Sequence, residues 1–462
     1  MSNLPISPAR WRTLPVQAIA LFTFALMPVW YRVSAATPII GGGGDVTRFA
    51  VFIPSALTFL VWVLLGLPGI GRLFSGFRAV WLICLVALAI WAYASGAWAY
   101  LGAQKPDLAN TAALTWAVST GFAVAVASVG LPARAVVMVL MLGVAWNGVL
   151  VGQQIALQGS AGGFWATLKE FQIDIDQPRI SVVQADGIRW LRPYGLLPHP
   201  NLLAGFLTIG LLACASFLTD TRPVRWLIGA GIWSIGLWAL MLTFSRGAYL
   251  AFGVGGLLLL ILMYRAGRWT QALAIAGVLT VILGLTFATA YHPFLLARAG
   301  NGDETTEQYS LGERAMLNAA AVNGIQDAPI LGLGAGNIPW YSARWLYVRD
   351  SPIQGNFPHN AALTVWSELG LVGLLLWAGA IGSGIIAAFG VLKQKPPDSV
   401  FRAALISGFV ALMAAGLVEY YSVTIIHFMA GGWGLIAVAL TPINRPMLES
   451  GAFNAEPSLE GK

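Results

Sequence analysis

Long apolar stretches alternate with short polar turns along most of the chain. Each stretch is about 20 residues long, the length of a helix that crosses a hydrocarbon core of about 30 Å. In a lipid environment, only helices and closed barrels satisfy all of their backbone hydrogen bonds. The chain lacks the alternating ten-residue segments of a barrel, so the apolar stretches predict an all-α polytopic membrane protein. They predict about 12 transmembrane helices and two sizeable outward-facing segments. The predicted helices begin near residues 14, 49, 79, 111, 135, 200, 226, 247, 270, 369, 402 and 424.

The composition agrees with a membrane protein. Hydrophobic residues make up 58% of the chain and charged residues only 10%, and the mean hydropathy is +0.74, whereas an ordinary soluble domain has about 25% charged residues. Basic residues concentrate in alternate turns, as expected of cytoplasmic turns, so both termini are expected in the cytoplasm. The net charge of +7 largely reflects this topology and gives no support to a nucleic-acid partner. The basic turns hold Arg72, Arg78, Arg134, Arg222, Arg225, Arg265, Arg268, Lys393, Lys395 and Arg402.

The predicted helices divide the chain into six parts. Both outward segments contain enough Trp, Ile, Leu and Phe to fold. In the second segment, residues 312–326 show helical periodicity, with Leu317, Ala320, Ala321 and Ile325 on one face, and Pro329 follows the predicted end. The parts are 1–158 with helices one to five, 159–199 as the first outward segment, 200–291 with helices six to nine, 292–360 as the large outward loop, 361–445 with helices ten to twelve, and 446–462 as a disordered cytoplasmic tail.

His359 stands where the large outward loop returns to apolar chain, in Pro358-His359-Asn360. An imidazole has a pKa of about 6.5, so it can accept or donate a proton near neutral pH. Asn360 is a plausible N-cap, which would leave His359 outside the helix and facing the loop. The alternative is that His359 only makes a hydrogen bond at the start of the helix. Glu368 could orient the ring or satisfy a packed polar site, and the sequence leaves both open.

Three arginines from separate outward segments suit a pyrophosphate group, because guanidinium binds phosphate oxygens in a bidentate manner. They are Arg192, Arg246 and Arg314. Alternatives remain: Arg246 could snorkel toward lipid phosphates, and Arg314 could form an ion pair with Glu313 or another neighbour. Residues expected to support the site are Tyr194, His199, Asn201 and Asn360, of which His199 could be only a helix cap.

No dedicated metal site is expected, because the four histidines show no paired spacing. Asp174 and Asp176 form an isolated acidic pair that is more typical of a solvated loop than of a cation site. A glycine-rich segment at 332–337 resembles a phosphate-binding loop, but no surrounding βαβ unit can be identified, which favours a turn or a close backbone approach. A backbone nest for an anion remains the alternative.

Over roughly residues 190–375 these motifs resemble the O-antigen ligase and polymerase superfamily of bacterial inner-membrane glycosyltransferases. The His-Asn pair, followed after nine residues by Gly370-Leu371-Val372-Gly373, is the most specific motif. The other motifs are Arg192-Pro193-Tyr194-Gly195 with His199-Pro200-Asn201, Ser245-Arg246-Gly247-Ala248, Gly312-Glu313-Arg314 and Gly332-Leu333-Gly334.

This resemblance implies transfer of a glycan from undecaprenyl pyrophosphate to the lipid A-core oligosaccharide, without a metal or another cofactor and with inversion at the anomeric carbon. His359 would deprotonate or orient the acceptor hydroxyl, while Arg192, Arg246 and Arg314 would hold the pyrophosphate. The implied location is the bacterial inner membrane, among membrane lipids, with both outward segments and the active site in the periplasm.

Three other functions remain open. A polymerase of O-antigen or exopolysaccharide and a protein O-oligosaccharyltransferase share much of the motif pattern. A polytopic transporter or flippase belongs to a different class. Transporters usually bury charges at the membrane midplane, whereas the charges of this chain cluster in the outward loops, which favours chemistry at the surface.

Overall fold

The structure is a computed structural model that describes residues 8–31, 33, 34, 50–99, 105–177, 180–220, 222–301, 304–349, 353 and 355–441. The fold is mostly helical, as the hydropathy pattern predicts. The helices are α1 (Pro8–Ala25), α2 (Ile53–Leu64), α3 (Gly76–Ala94), α4 (Gly96–Ala99), α5 (Pro106–Val129), α6 (Ala133–Leu157), α7 (Phe164–Thr167), α8 (Pro200–Ala215), α9 (Pro223–Leu242), α10 (Arg246–Arg265), α11 (Gln271–Ala290), α12 (His292–Leu296), α13 (Glu304–Asp327), α14 (Ile338–Tyr347), α15 (Ala361–Lys393), α16 (Ser399–Ala415), α17 (Tyr421–Thr424) and α18 (Ile426–Leu440).

Among the described residues, eight helices are long and apolar enough to cross a membrane. These are α3 continued by α4, α5, α6, α8 with the 3-10 turn that follows it, α9, α10, α11 and α15. The apolar helices α2, α16 and α18 are shorter, and their length alone does not qualify them as spans. Each predicted start lies in or near a helix, but the number of twelve spans stays a prediction. The tail predicted at 446–462 lies outside the described residues.

The centre of the helical bundle is formed by α5 and α8. In their most apolar windows, 89% of the residues of α5 and 94% of those of α8 are buried, against 17% for α11, which therefore presents most of its apolar surface outward. Glycine permits the close packing of neighbouring helices. A Cβ atom on Gly210 of α8 or on Gly236 of α9 would lie 2.3 Å from a methyl group of Val144 on α6.

Two short antiparallel pairs of strands depart from the all-α expectation. The strand β1 (Val33–Ser34) pairs with β2 (Ala50–Val51), and β3 (Val182–Ala185) pairs with β4 (Ile188–Leu191). Asp186 and Gly187 connect β3 to β4 with positive φ at both positions, the geometry that a two-residue hairpin needs. The first outward segment is therefore folded, and its hairpin ends directly before Arg192.

The helix expected in the large outward loop is α13. It ends at Asp327, as expected from the following proline, and it begins earlier than residue 312, at Glu304. Leu317, Ala320 and Ala321 are fully buried, and Ile325 is half-buried, so the predicted apolar face packs against the bundle.

The glycine-rich segment after α13 packs against a break in α15. Gly370 has φ of +66°, which interrupts the helix, and a Cβ atom there would lie 2.0 Å from the carbonyl oxygen of Ile330. The N–H of Gly334 donates a hydrogen bond of 2.9 Å to the carbonyl of Glu368. This contact confirms the predicted close backbone approach. The carboxylate of Glu368 accepts from the N–H of Ile338 at 3.3 Å, so Glu368 occupies a packed polar site and does not orient His359.

Candidate functional site

The buried carboxylate of Glu419 forms the centre of a polar cluster at one end of the bundle. Glu419 lies in the turn between α16 and α17 and is 6% exposed. Its Oε1 accepts hydrogen bonds from Nδ2 of Asn201 at 2.6 Å and from Nη2 of Arg314 at 2.9 Å. Its Oε2 lies 3.4 Å from Nδ1 of His359. One carboxylate thus joins residues from three separate segments of the chain.

His359 lies in the non-helical segment that leads into α15. The Oδ1 of Asn360 accepts a hydrogen bond of 3.0 Å from the N–H of Leu363, which confirms the predicted cap and leaves His359 outside the helix. The Nδ2 of the same side chain donates to the carbonyl of Leu417 at 3.0 Å. Asn360 therefore fixes the segment of His359 to the turn that carries Glu419.

An aromatic ring supports the imidazole from the same turn. Tyr420 packs edge-on against His359, with 5.2 Å between the ring centroids. Phe357 packs in turn against Tyr420, with 5.5 Å between the centroids of the two rings. Burial raises the pKa of Tyr420, and the neighbouring carboxylate of Glu419 raises it further, so this phenol stays neutral. The ring of His359 is therefore held by packing as well as by its backbone.

Arg192 is buried immediately after β4. Its Nη2 donates to Oδ1 of Asn201 at 2.6 Å, and its Nε donates to the carbonyl of Thr243 at 2.7 Å. Burial and then the nearby Arg298 lower the pKa of Arg192 to about 9, which leaves the guanidinium charged at neutral pH. Asn201 bridges Arg192 and Glu419, because its oxygen accepts from the first and its nitrogen donates to the second.

Arg314 extends from α13 to the same turn. Besides its ion pair with Glu419, it donates from Nη1 to the carbonyl of Val418 at 3.1 Å. The sequence left open an ion pair with Glu313 or another neighbour. The observed partner lies 105 residues further along the chain, so Arg314 connects the large outward loop to the last helices of the bundle.

Arg246 and Arg298 lie at the rim of the cluster. Arg246 is the first residue of α10 and is exposed, and its Nη1 donates to the carbonyl of Arg298 at 2.6 Å. A Cβ atom on Gly247 would lie 2.7 Å from a methyl group of Val418, so the start of α10 packs against the turn of Glu419. The structure therefore places Arg192 and Arg314 inside the hydrogen-bonded cluster and Arg246 beside it.

His199 and Tyr194 support the segment of Arg192. The Nδ1 of His199 accepts from the N–H of Asn201 at 3.1 Å, which makes His199 the cap of α8, and its Nε2 lies 3.3 Å from Oγ of Ser181. The hydroxyl of Tyr194 accepts from the N–H of Ser181 at 2.8 Å. Burial and then the charge of Arg192 lower the pKa of His199 to about 3, so the ring is neutral. His199 therefore acts as a helix cap, which is the alternative role that the sequence left open for it.

Opposing influences act on the charge of Glu419. Burial alone would raise the pKa of its carboxyl, but His359 and the charge of Arg314 lower it to about 2, so the group is a carboxylate at neutral pH. A carboxylate facing Nδ1 of His359 favours the tautomer with the proton on Nδ1. The Nε2 of the ring is then the atom able to accept a proton.

The profile of the family described as O-Antigen ligase matches residues 230–378. Over these residues the chain is similar to the O-antigen ligase family. The match confirms the resemblance inferred from the motifs, and the proteins of this family are membrane glycosyltransferase-like enzymes of the ligase and polymerase type. A search of curated proteins finds no match.

The O-antigen ligase region contains only part of the cluster. It supplies Arg314 and His359 to the cluster, and Arg246 and Arg298 to its rim. The other members of the cluster lie in segments on either side of the matched range, and they are Arg192, Asn201 and Glu419. These flanking segments therefore complete the polar cluster.

Two of these residues were not identified from the sequence. Glu419 is one of the few ionisable groups in an otherwise apolar stretch, and such residues in membrane proteins usually have a functional role, which was the available signal. Arg298 is part of no recognised motif. Only the fold brings it against Arg246, whose Nη1 donates to its carbonyl, and close enough to Arg192 for its charge to lower the pKa of that guanidinium.

The acidic pair of the first outward segment forms a turn. The Oδ1 of Asp174 accepts from the N–H of Asp176 at 3.1 Å, and Oδ2 accepts from Nε2 of Gln177 at 3.3 Å. In the part of the chain that the structure describes, no three side chains of His, Cys, Asp or Glu are grouped so that they could hold a metal ion.

Proposed function

We propose that the protein is an O-antigen ligase that transfers a glycan from undecaprenyl pyrophosphate to the lipid A-core oligosaccharide. The observation that carries the proposal is the pairing of His359 with the ionised Glu419 among arginines from separate loops. This arrangement combines a candidate base with positive charge suited to a phosphate leaving group.

The proposed base is Nε2 of His359. The carboxylate of Glu419 holds the proton of the neutral ring on Nδ1, so Nε2 presents its lone pair to the acceptor hydroxyl. When that hydroxyl attacks the anomeric carbon, its proton passes to Nε2, and Glu419 stabilises the resulting imidazolium. A base positioned in this way contributes roughly 10²- to 10⁴-fold to the rate.

The arginines are proposed to hold the leaving group. As the bond from the anomeric carbon to the pyrophosphate oxygen breaks, negative charge grows on the phosphate, and guanidinium groups at the site stabilise it. Arg246 is exposed at the rim and can contact the phosphate directly, and Arg314 retains N–H donors beyond those that bind Val418 and Glu419. Arg192 is buried and acts through its charge and through Asn201.

A single displacement follows from this assignment. One group accepts the acceptor proton and the arginines stabilise the departing pyrophosphate, so the chain needs no covalent glycosyl intermediate and the anomeric centre inverts. The proposal includes a lipid-borne donor and acceptor, which meet at the membrane surface because the cluster lies at the ends of the helices.

The proposed location is the bacterial inner membrane, with the cluster facing the periplasm and both termini in the cytoplasm. This orientation is supported by the basic turns at the opposite helix ends, such as those of Arg222 and Arg265. The segments that supply His359, Arg314 and Arg192 then share the periplasmic side.

The test is complementation of bacteria that lack their own ligase. Wild type, His359→Ala and His292→Ala are compared by the lipopolysaccharide ladder on a gel, with membrane levels of each protein measured. His292 is an exposed histidine at the start of α12 and serves as the matched control. We expect wild type and His292→Ala to restore the ladder and His359→Ala to lose it at equal abundance.

Two outcomes would contradict the proposal. A ladder restored fully by His359→Ala would remove His359 from the reaction. If wild type instead restores chain elongation in a polymerase-deficient strain and no ladder in the ligase-deficient strain, the protein is a polymerase of the same superfamily. The same cluster would then act on a different acceptor.

A further inference from the structure

A cavity of about 930 Å³ lies beside α14, in the segment that also supplies Arg314 and His359. Its volume is within the range of small-molecule binding sites. Part of its lining comes from the turn after α13, and the end of α4 contributes Trp98. The cavity is distinct from the Glu419 cluster, since none of the residues that surround Glu419 lines it.

Four aromatic side chains line this cavity. They are Trp98, Trp340, Tyr341 and Trp345. Indole and phenol rings offer a flat apolar face and a polar edge in one group. The apolar C–H faces of a pyranose ring pack on such surfaces while the sugar hydroxyls remain available for hydrogen bonds. The lining therefore suits a saccharide.

Two arginines place positive charge at the cavity. The guanidinium of Arg349 lies 3.8 Å above the ring of Trp345, and Arg344 also lines the cavity and is exposed. The acid in the lining, Asp327, accepts a hydrogen bond from the hydroxyl of Tyr341. Since guanidinium groups bind phosphate oxygens through several N–H donors, a saccharide that carries phosphate fits this charge pattern.

The edge of the cavity is apolar and open. Ile330, Leu331 and Val348 belong to its lining and are 60%, 45% and 72% exposed. Exposed aliphatic side chains beside tryptophan and arginine are typical of the boundary between lipid and water. In a ligand with a phosphorylated saccharide and acyl chains, the saccharide would pack on the aromatic rings, the phosphate would face the arginines, and the acyl chains would contact the aliphatic edge.

The opposite face of α14 holds the segment that precedes His359. The Oγ of Ser342 donates to the carbonyl of Asn356 at 2.9 Å and accepts from the N–H of the same residue at 3.0 Å. A Cβ atom on Gly355 would lie 2.4 Å from the Cβ of Ala343, so helix and segment are in close contact. A ligand bound on the outer face of α14 is thus connected through one helix to the proposed base.

We propose that this cavity binds the phosphate-bearing saccharide of the lipid-anchored acceptor. The inference rests on the proposed function, in which His359 receives the proton of the acceptor. The donor pyrophosphate is assigned to the arginines around Glu419, so the cavity beside the segment of His359 is left for the acceptor. Its aromatic rings orient the saccharide, and Arg344 and Arg349 bind its phosphate.

The test measures KM for each substrate separately with purified protein in lipid. The acceptor is rough lipopolysaccharide, which carries lipid A and core but no O-antigen. Trp345→Ala and Arg344→Gln are expected to raise the acceptor KM roughly three- to tenfold, with donor KM and kcat little changed. Trp345→Phe should recover most of the loss, and dephosphorylated acceptor should remove the effect of Arg344→Gln.

The matched control is Trp269→Ala, because Trp269 is an exposed tryptophan that follows α10 and lies outside this cavity. It should leave both KM values unchanged. Arg344 is an exposed side chain, so its variant should fold even if Trp345→Ala does not. A rise in donor KM alone would assign the cavity to the donor and overturn the inference, as would unchanged KM values in both cavity variants.

A binding measurement separates this inference from the proposed function. Rough lipopolysaccharide is titrated into His359→Ala and into the double variant His359→Ala with Trp345→Ala, and binding is followed by native mass spectrometry. Weaker binding to the double variant supports the acceptor site even if wild type shows no ligation. Equal binding to both variants overturns the site even if wild type is an active ligase.

Discussion

Nδ1 of His359 lies 3.4 Å from Oε2 of Glu419, although His359 precedes α15 and Glu419 follows α16. A carboxylate behind an imidazole sets its tautomer and stabilises its protonated form. The same carboxylate receives hydrogen bonds from Asn201 and Arg314 on its other oxygen, so its position is fixed from two sides.

Removal of the charge of Glu419 should slow the reaction more than it weakens substrate binding. In Glu419→Gln the side chain keeps its shape but loses the charge that stabilises an imidazolium at His359. We expect kcat to fall roughly 10²- to 10⁴-fold with both KM values little changed. Steady-state transfer by purified protein measures this, and Glu313→Gln on α13 is the control. A Glu419→Gln variant with the kcat of wild type would remove this residue from the mechanism.

Loss of a rim arginine should affect the donor. Because Arg246 and Arg298 lie together beside the cluster, Arg298→Gln is expected to raise the donor KM roughly tenfold and to leave the acceptor KM unchanged. Arg225→Gln is the control, since Arg225 lies at the opposite helix end and pairs with Asp220. A change confined to the acceptor KM would contradict the assignment of the donor to this rim.

The neutral His199 should make the protein less stable in mild acid. Its pKa is about 3 in the folded protein against 6.5 in the unfolded chain, so below pH 6.5 the unfolded chain binds a proton that the folded protein does not. Stability is therefore complete above pH 6.5 and decreases as the pH falls toward 3, by about 2 kcal/mol at pH 5.

Thermal unfolding of the purified protein at pH 7.5 and pH 5 measures this dependence. His199→Asn keeps a capping side chain without a titratable ring, so its Tm should change less between the two pH values. An equal decrease in Tm for wild type and variant would show that other groups cause the acid sensitivity.

Gly370 should be irreplaceable for a structural reason. Its φ of +66° disfavours any residue with a Cβ atom, and that atom would lie 2.0 Å from the carbonyl of Ile330. We expect Gly370→Ala to reduce the amount of folded protein in the membrane, at a cost of roughly 1–3 kcal/mol or more. Gly382→Ala on the same helix has open space around the added Cβ and should match wild type in abundance and Tm. Equal abundance of both variants would refute the close approach.

The sequence was most informative where local pattern determines structure. Asn360 caps α15 and Asp327 ends α13 as predicted, because caps and prolines act over a few residues. Helix positions also followed from hydropathy. The number of twelve spans stays a prediction, since α2, α16 and α18 are apolar but shorter than the eight helices that are long enough to cross a membrane. Asp186-Gly187 is a dipeptide typical of a two-residue hairpin turn, so the sequence did contain a signal for the hairpin of β3 and β4. The two strands are too short for hydropathy alone to indicate them.

The candidate site was predictable only in part. His359 and Arg314 were found because they occur in motifs, and Arg192 because it precedes a polar helix start. The carboxylate that contacts His359 and Arg314, and that Asn201 links to Arg192, was not found. Glu419 lies 218 residues from Asn201 along the chain, and its role depends on the way the last helices pack against α8. No local pattern encodes a contact of that kind, so the carboxylate could be identified only in the folded structure.

The hydrogen bond from Asn360 to Leu417 has a consequence for biogenesis. A nascent chain that has inserted α15 already carries the histidine and every motif arginine, yet Glu419, whose carboxylate faces Nδ1 of His359, has not been synthesised. The proposed chemistry begins only when α16 has entered the bilayer and its far end has been fastened to Asn360. On the proposed mechanism, a chain that ends before α16 lacks Glu419 and is therefore inactive, so glycan transfer depends on the helix that enters the bilayer after α15.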